Sequence, residues 1–268
     1  MAFANGKGLA IRMKWMVAAG LLVTTVGALA QDRKFDPKHE FSGFVEYSND
    51  SSHMLIGQEE NRKLLQVGVG YERRLKGNSI AAWRWEIDVQ PLILLRNPLL
   101  TTDETVVYTG PPVTIYTGYP PGTYHFVVLA NKDCETGSGT GQYYGTTSTG
   151  TTVPVETYTY SSVCTHPWTY GGGISPLGQT VNFFPKRRLQ PMFMGNAGFV
   201  AFDKVTPSNN ATMFNFSFEV GVGFQYFTRP GRAVTVDYRY HHISNAYRGQ
   251  QNPGVDSGLL KVTYSFGR

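Results

Sequence analysis

Apolar and polar residues alternate along much of the chain with a period of two, the spacing of a strand whose two faces meet different surroundings. Eight segments carry the pattern, near 39–49, 62–75, 79–94, 170–184, 188–203, 212–228, 232–245 and 256–267. The sixth is the clearest: Phe214, Phe216, Phe218, Val220, Val222, Phe224 and Tyr226 share one face, and Asn215, Ser217, Glu219, Gly221, Gly223 and Gln225 the other. In the third, Trp83, Trp85, Ile87 and Val89 oppose Arg84, Glu86, Asp88 and Gln90.

The connections between these segments alternate in length. Residues 75–78, 185–187 and 229–231 are tight turns, whereas 50–61, 95–169, 204–211 and 246–255 are longer. Bacterial membrane barrels alternate short periplasmic turns with longer outer loops, on an even number of strands with both termini inside. A soluble barrel has no reason to segregate its loop lengths this way. The pattern therefore predicts an all-β fold: an eight-stranded antiparallel transmembrane up-and-down β-barrel with a long outer loop between its third and fourth strands. Its polar faces point inward, where eight strands leave room for side chains but no open channel. Buried charges need partners, so Glu72, Glu86, Asp88 and Glu219 are expected to pair inside with Arg84, Arg239 and Lys261.

Composition agrees. Only 16% of residues are charged and 13% are aromatic, against about 25% charged in soluble domains. Beyond residue 30 no run approaches the roughly 18 apolar residues of a membrane helix, which excludes a helical bundle. The first thirty residues read as an export signal: Lys7, Arg12 and Lys14, an apolar stretch from Trp15 to Val26, and Ala28-Leu29-Ala30 before Gln31. The division is then 1–30 signal peptide and 31–268 barrel, located in the bacterial outer membrane. The leader's three cations supply most of the +5 net charge, and the balance is too small for a nucleic-acid partner.

Residues 95–169 differ from the rest. They are rich in Thr, Tyr and Gly, sparse in charge after Glu104, and read as one outer loop of hairpin character turning at Pro120-Pro121-Gly122. Both cysteines, Cys134 and Cys164, lie there, and an even pair in an exported chain predicts a disulfide. The segment serves either as a lid or surface element, or as a tolerated insertion. No cysteine or histidine spacing suits a metal, and none is expected. The basic turns around Arg73, Lys186 and Arg229 either contact anionic head groups or are solvated turn charge.

The chemistry concentrates near the C-terminus. Strand parity puts Tyr238, Tyr240, His242 and Ser244 on the apolar, outward face and Arg239 and His241 inside, while Asp256 shares the outward face of the last strand with Gly258 and Leu260. Ionisable groups facing lipid are costly unless they lie near the interface or serve a function. If the last two strands pair antiparallel, with Arg232 near its tight turn opposite Phe266 at the chain end, His242 falls directly opposite Asp256, within reach of a hydrogen bond. Ser244 follows on the same face. This predicts a nucleophile, a general base and an orienting acid at the outer end of the wall. Arg248 is either a contact for a lipid phosphate or a solvated cation.

His242-Ile243-Ser244-Asn245-Ala246, with Asn252, Gly254 and the acid at Asp256, resembles the lipid A 3-O-deacylase family of outer-membrane barrels, and the likeness extends to Gly171-Gly172-Gly173-Ile174-Ser175-Pro176. The resemblance implies an eight-stranded barrel that hydrolyses the ester at the 3-position of lipid A in lipopolysaccharide, without a cofactor and among outer-membrane lipids. It makes His242 the base, Ser244 the nucleophile and Asp256 the acid, with Asn245 and Asn252 as candidates to hold the oxyanion. Two departures stand out: an aspartate where the family has a glutamate, one methylene longer, and the 95–169 insertion. A homodimer is left open. The rival readings are a non-enzymatic barrel, an adhesin or structural protein that works through its long loop, and an outer-membrane phospholipase.

Overall fold

All eight alternating segments are strands. The computed structural model describes residues 35–268 apart from His53 and Thr117, and the expected export signal over 1–30 lies outside the described residues. In chain order the strands are β1 (His39–Ser48), β2 (Lys63–Gly77), β3 (Ala81–Arg96), β4 (Leu99–Tyr108), β5 (Ile115–Tyr116), β6 (Gly122–Leu129), β7 (Gly137–Thr146), β8 (Thr152–Thr165), β9 (Trp168–Phe183), β10 (Leu189–Thr206), β11 (Thr212–Arg229), β12 (Arg232–Ser244) and β13 (Val255–Gly267). Eight of them close into a barrel in the order β1-β13-β12-β11-β10-β9-β3-β2. Neighbours are antiparallel throughout, and β3 pairs with β9 across the insertion. Closure leaves no free edge, the condition for crossing hydrocarbon with strands.

The phase follows the alternation. Val222, Val236, Tyr238, Leu260 and Val262 point outward and stay exposed, while Thr235, Asp237, Arg239 and His241 are buried in the lumen. Charge fills the middle of the interior. Lys261 Nζ lies 2.7 Å from Asp88, 3.2 Å from Glu46 and 3.8 Å from Glu86. Arg239 pairs with Glu219 at 2.7 Å and with Asp237, and Arg84 with Glu40 at 2.8 Å and Asp36 at 2.9 Å. Towards the outer ends of the strands the lumen turns apolar. Leu64, Ile93, Leu95, Val200, Phe202, Ile243, Val255 and Leu259 form a buried cluster that plugs that end.

The insertion departs from expectation. The segment read as one long loop forms a second, five-stranded sheet in the order β5-β7-β8-β4-β6. Thr, Val and Tyr recur through it, and these types favour strands. A disulfide joins Cys134 to Cys164, the latter on β8, across 30 residues of sequence. Hydrogen bonds hold the sheet to the barrel's outer turns: Leu129 N donates to Asn209 Oδ1 at 2.7 Å, and Asn209 Nδ2 donates to Val127 O at 2.7 Å. Arg62, wholly buried, donates to the carbonyls of Glu60, Ala130 and Pro207, and so fastens the β1–β2 loop, the insertion and the β10–β11 turn at one point.

Candidate active site

The pairing of β12 with β13 sets the site. Arg232 faces Phe266, and ten residues on, His242 faces Asp256. Both lie on the outward parity, as does Ser244, which faces Phe216 of β11. His242 Nδ1 and Asp256 Oδ1 are 2.7 Å apart, so the aspartate reaches the ring directly despite its short side chain. A hydrogen bond at Nδ1 leaves Nε2 as the working nitrogen, and no described residue bonds it. Among the described residues no hydrogen bond joins the Ser244 hydroxyl to the ring.

Asp256 does not meet hydrocarbon, although its strand parity points it there. It is fully buried, because the β1–β2 loop is laid across it. Ser52 N donates to Asp256 O, Gln58 N to Pro253 O and Glu59 N to Gly254 O, which pins the loop on either side of its tip. At the tip, Leu55 N and Ile56 N donate to Asp256 Oδ2 at 2.7 and 3.0 Å, and the Gly57 backbone adds a further hydrogen bond to the carboxylate. Tyr240 donates its hydroxyl to Oδ1 at 2.8 Å. A carboxylate is acceptor-only with lone pairs for several donors, and here they converge on both oxygens. The expensive placement of a charge on the outer wall is thereby offset by hydrogen bonds that fix its orientation.

Glycine makes this approach fit. A Cβ on Gly57 would stand 2.6 Å from Asp256 N and 2.7 Å from its Oδ1. Gly254, at φ +64°, would place a Cβ 2.7 Å from His242 Cε1. The site is also backed by dry packing, since Ile243 and Val255, neighbours of His242 and Asp256, belong to the apolar plug.

Of the two asparagines, Asn245 is committed to the turn after β12. Its Nδ2 donates to Gln251 O at 2.7 Å, its Oδ1 accepts from Tyr247 N at 2.9 Å, and its own backbone N–H donates to Asn252 Oδ1 at 2.9 Å. Asn252 thus spends its oxygen on the turn and keeps its amide NH2 for other use. Inside the barrel, His241 Nε2 sits 2.9 Å from Ser217 Oγ and is buried, the lumen position that parity predicts.

The sequence did not point to Tyr240 as a donor or to the Leu55–Gly57 amides. The one available signal was Met54-Leu55-Ile56-Gly57, an apolar triplet closing on glycine within an otherwise polar outer loop. Among the described residues the only grouping of metal-ligating types is Asp133, Cys164 and His166. The Cys164 sulfur is spent in the disulfide, and His166 Nε2 lies 2.8 Å from Asp133 Oδ1, so the group is a hydrogen-bonded pair beside a disulfide.

The family model described as Lipid A 3-O-deacylase (PagL) matches residues 135–265, a range that holds β12, most of β13, and His242, Ser244 and Asp256. No curated protein matches the chain. Among solved structures, Neisserial surface protein A is similar at 10% identity and a TM-score of 0.38, covering 86% of this chain and 97% of its own. OprG from Pseudomonas aeruginosa follows at 10% identity and 0.36, covering 87% and 98%. LpxR from Salmonella typhimurium, at 10% and 0.24, covers 94% and 96%. Likenesses this distant carry no argument about function.

Proposed function

We propose that the chain, whose residues 135–265 match the family model of the lipid A 3-O-deacylases, is an outer-membrane serine esterase that removes the 3-position acyl chain of lipid A through Ser244, His242 and Asp256. The observation that carries the reading is the 2.7 Å bond between His242 Nδ1 and Asp256 Oδ1, on the outward face shared with Ser244. An imidazole oriented at one nitrogen by a fixed carboxylate, with a serine two residues on along the same strand face, supports that reading.

In this mechanism Ser244 Oγ attacks the ester carbonyl carbon while His242 Nε2 takes the hydroxyl proton. The imidazolium is stabilised by Asp256, which keeps its own negative charge. The Asn252 amide is the candidate donor to the oxyanion, with Asn245 acting as its support. Collapse of the tetrahedral intermediate breaks the bond to the sugar oxygen, which leaves with the proton from Nε2. Water then attacks the acyl-serine by the same route and releases the fatty acid. The acyl chain lies in the outer leaflet against the barrel wall, so the reaction needs a surface groove and no deep pocket.

Mass spectrometry of lipid A from cells expressing the protein tests the proposal. The expected result is the loss of one ester-linked acyl mass with wild type, and full-length lipid A with Ser244→Ala or His242→Ala. Unchanged lipid A alongside fatty acid release from glycerophospholipid would instead establish a phospholipase. No lipid change from a folded wild-type barrel would leave a non-enzymatic protein.

A further inference from the structure

The two faces of the outer sheet differ in chemistry. One carries Thr101, Asp103 and Thr105 of β4, flanked by His125 of β6 and by Thr159 and Ser161 of β8. The other is aromatic. Tyr124 and Phe126 of β6, Tyr143 of β7, and Tyr158 and Tyr160 of β8 share it, and Tyr119 bridges their two ends. Ring centroids are 5.0 Å apart for Tyr119–Tyr124, 6.2 Å for Tyr119–Tyr143, 4.8 Å for Tyr143–Tyr158 and 6.4 Å for Tyr158–Tyr160.

Glycines determine how these rings lie. Gly139 and Gly141 of β7 face Tyr160 and Tyr158. A Cβ on Gly139 would come within 2.9 Å of the Tyr160 ring, and one on Gly141 would overlap the Tyr158 ring. The two tyrosines therefore lie down across the neighbouring strand instead of standing off the sheet, and each turns a flat face outward. Tyr160 remains 37% exposed.

Charge and hydrogen-bonding chemistry select the occupant. From Leu99 to Thr165 the charged side chains are Asp103, Glu104, Asp133, Glu135 and Glu156 against Lys132 alone, and no cation stands on the aromatic face. A phosphorylated or otherwise anionic ligand would meet repulsion there. Hydroxyl donors would meet an acceptor in Glu104, which takes the Tyr143 hydroxyl at 2.8 Å with one oxygen and keeps the other, while Glu156, in the cross-strand row of Tyr143, adds buried negative charge beneath the rings. Flat aromatic faces beside a carboxylate acceptor, with no cation, complement a neutral sugar ring, which offers C–H groups on its faces and O–H groups at its rim. The sheet springs from the outer ends of β3 and β9 and is held there by Arg62 and Asn209, on the same side as the candidate site.

We propose that this face is a glycan-binding surface for uncharged sugar residues, with Tyr158 and Tyr160 as stacking platforms and Glu104 as an acceptor for sugar hydroxyls. The proposal stands apart from the esterase reading.

Calorimetric titration of the full chain in detergent micelles tests it. The probe is a neutral hexose oligosaccharide, with its phosphorylated form as the anionic comparison. Wild type is expected to bind it saturably, and Tyr158→Ala and Tyr160→Ala about tenfold more weakly each, the scale of one lost aromatic contact. Gly141→Ala keeps every ring but lifts Tyr158, and is expected to weaken binding similarly. Retained mobility of the oxidised disulfide form on gels shows that the variants are folded. The proposal is overturned if wild type does not bind, if the tyrosine variants bind as wild type does, or if the phosphorylated oligosaccharide or phosphatidylglycerol vesicles bind more tightly than the neutral probe.

Discussion

On the esterase reading, a single methyl group added at Gly57 is expected to disable the site while the barrel stays folded. The Cβ of Gly57→Ala would stand 2.6 Å from Asp256 N, 2.7 Å from Oδ1 and 2.8 Å from Cγ, whereas ordinary contact begins at 3.4 Å. Something must therefore give by about 0.8 Å. The Asp256 backbone is held in the β13 ladder and by Ser52, and the loop is pinned at Gln58 and Glu59. Relief at the backbone nitrogen requires the loop tip to lift, and the carboxylate held by its Leu55 and Ile56 amides shifts with it. Displaced by that amount from its 2.7 Å bond to His242, it loses a useful hydrogen bond. A misplacement near 1 Å costs on the order of 10²-fold in rate, and complete loss of the acid's role in a serine triad about 10⁴-fold. The expected effect lies between these, about 3–5 kcal/mol in the barrier. The assay is the rate of acyl release from lipid A by purified protein in micelles, with heat-modifiable gel mobility as the measure of folding. Gly43→Ala is the control, since a Cβ on Gly43 meets nothing within 4 Å. If folded Gly57→Ala works within about threefold of wild type, the close approach of this loop to the acid has no catalytic role.

Two further outcomes follow from the buried charges. Lys261→Met strips the nearest cation from Asp88, Glu46 and Glu86, and leaving buried carboxylates uncompensated costs about 3–5 kcal/mol; urea unfolding in micelles should show a lowered midpoint, and an unchanged one would mean that the lumen is wet enough to solvate them. At the lip, burial pushes the Glu59 carboxyl up to about 7 from its usual 4.5, against the pull of Arg62. A carboxyl whose pKa is raised by folding contributes stability at low pH that is lost as pH climbs from about 4.5 through 7. Wild type should therefore become easier to unfold across that window, and Glu59→Gln should not; matching pH profiles for the two would rule out this assignment.

How far the sequence could be read depended on whether a contact uses side chains or backbone. The β12–β13 register was legible because Arg232, beside the tight turn that opens β12, lies at the same end of the barrel as Phe266 near the chain end, and that pairing carries His242 to Asp256. Arg84, Arg239 and Lys261 declared themselves as interior cations by falling among polar positions. Glu40 and Glu46 of β1, which pair with Arg84 and Lys261, were missed among the lumen acids, although β1 itself was placed. The donors on Asp256 Oδ2 were invisible for a deeper reason. They are the amides of Leu55 and Ile56, and a backbone N–H has no residue type. The outer sheet was hidden differently. With the aromatic face and the Thr-rich face both reaching solvent, neither parity class is reserved for buried aliphatic residues, so the period-two signal that marks the barrel strands is diluted in β4–β8.

The position of the site also limits what can influence it. Its chemistry lies on the outer wall, yet the residues alternating with His242, Ser244 and Asp256 face a plug of Ile243, Val255, Leu259 and their neighbours, with the charged layer of Lys261 and Arg239 farther in. That apolar cluster stands between the lumen charges and His242, Ser244 and Asp256, and the Asp256 carboxylate is covered from outside by a loop fastened at Gln58 and Glu59. On the esterase reading, the attacking water and the ester must both arrive along the outer leaflet, past His242 and Ser244. Activity should then be sensitive to what stands at the barrel lip, namely the β1–β2 loop and the turn carrying Asn252, and far less so to lumen charge, whose work is to hold the cylinder in shape.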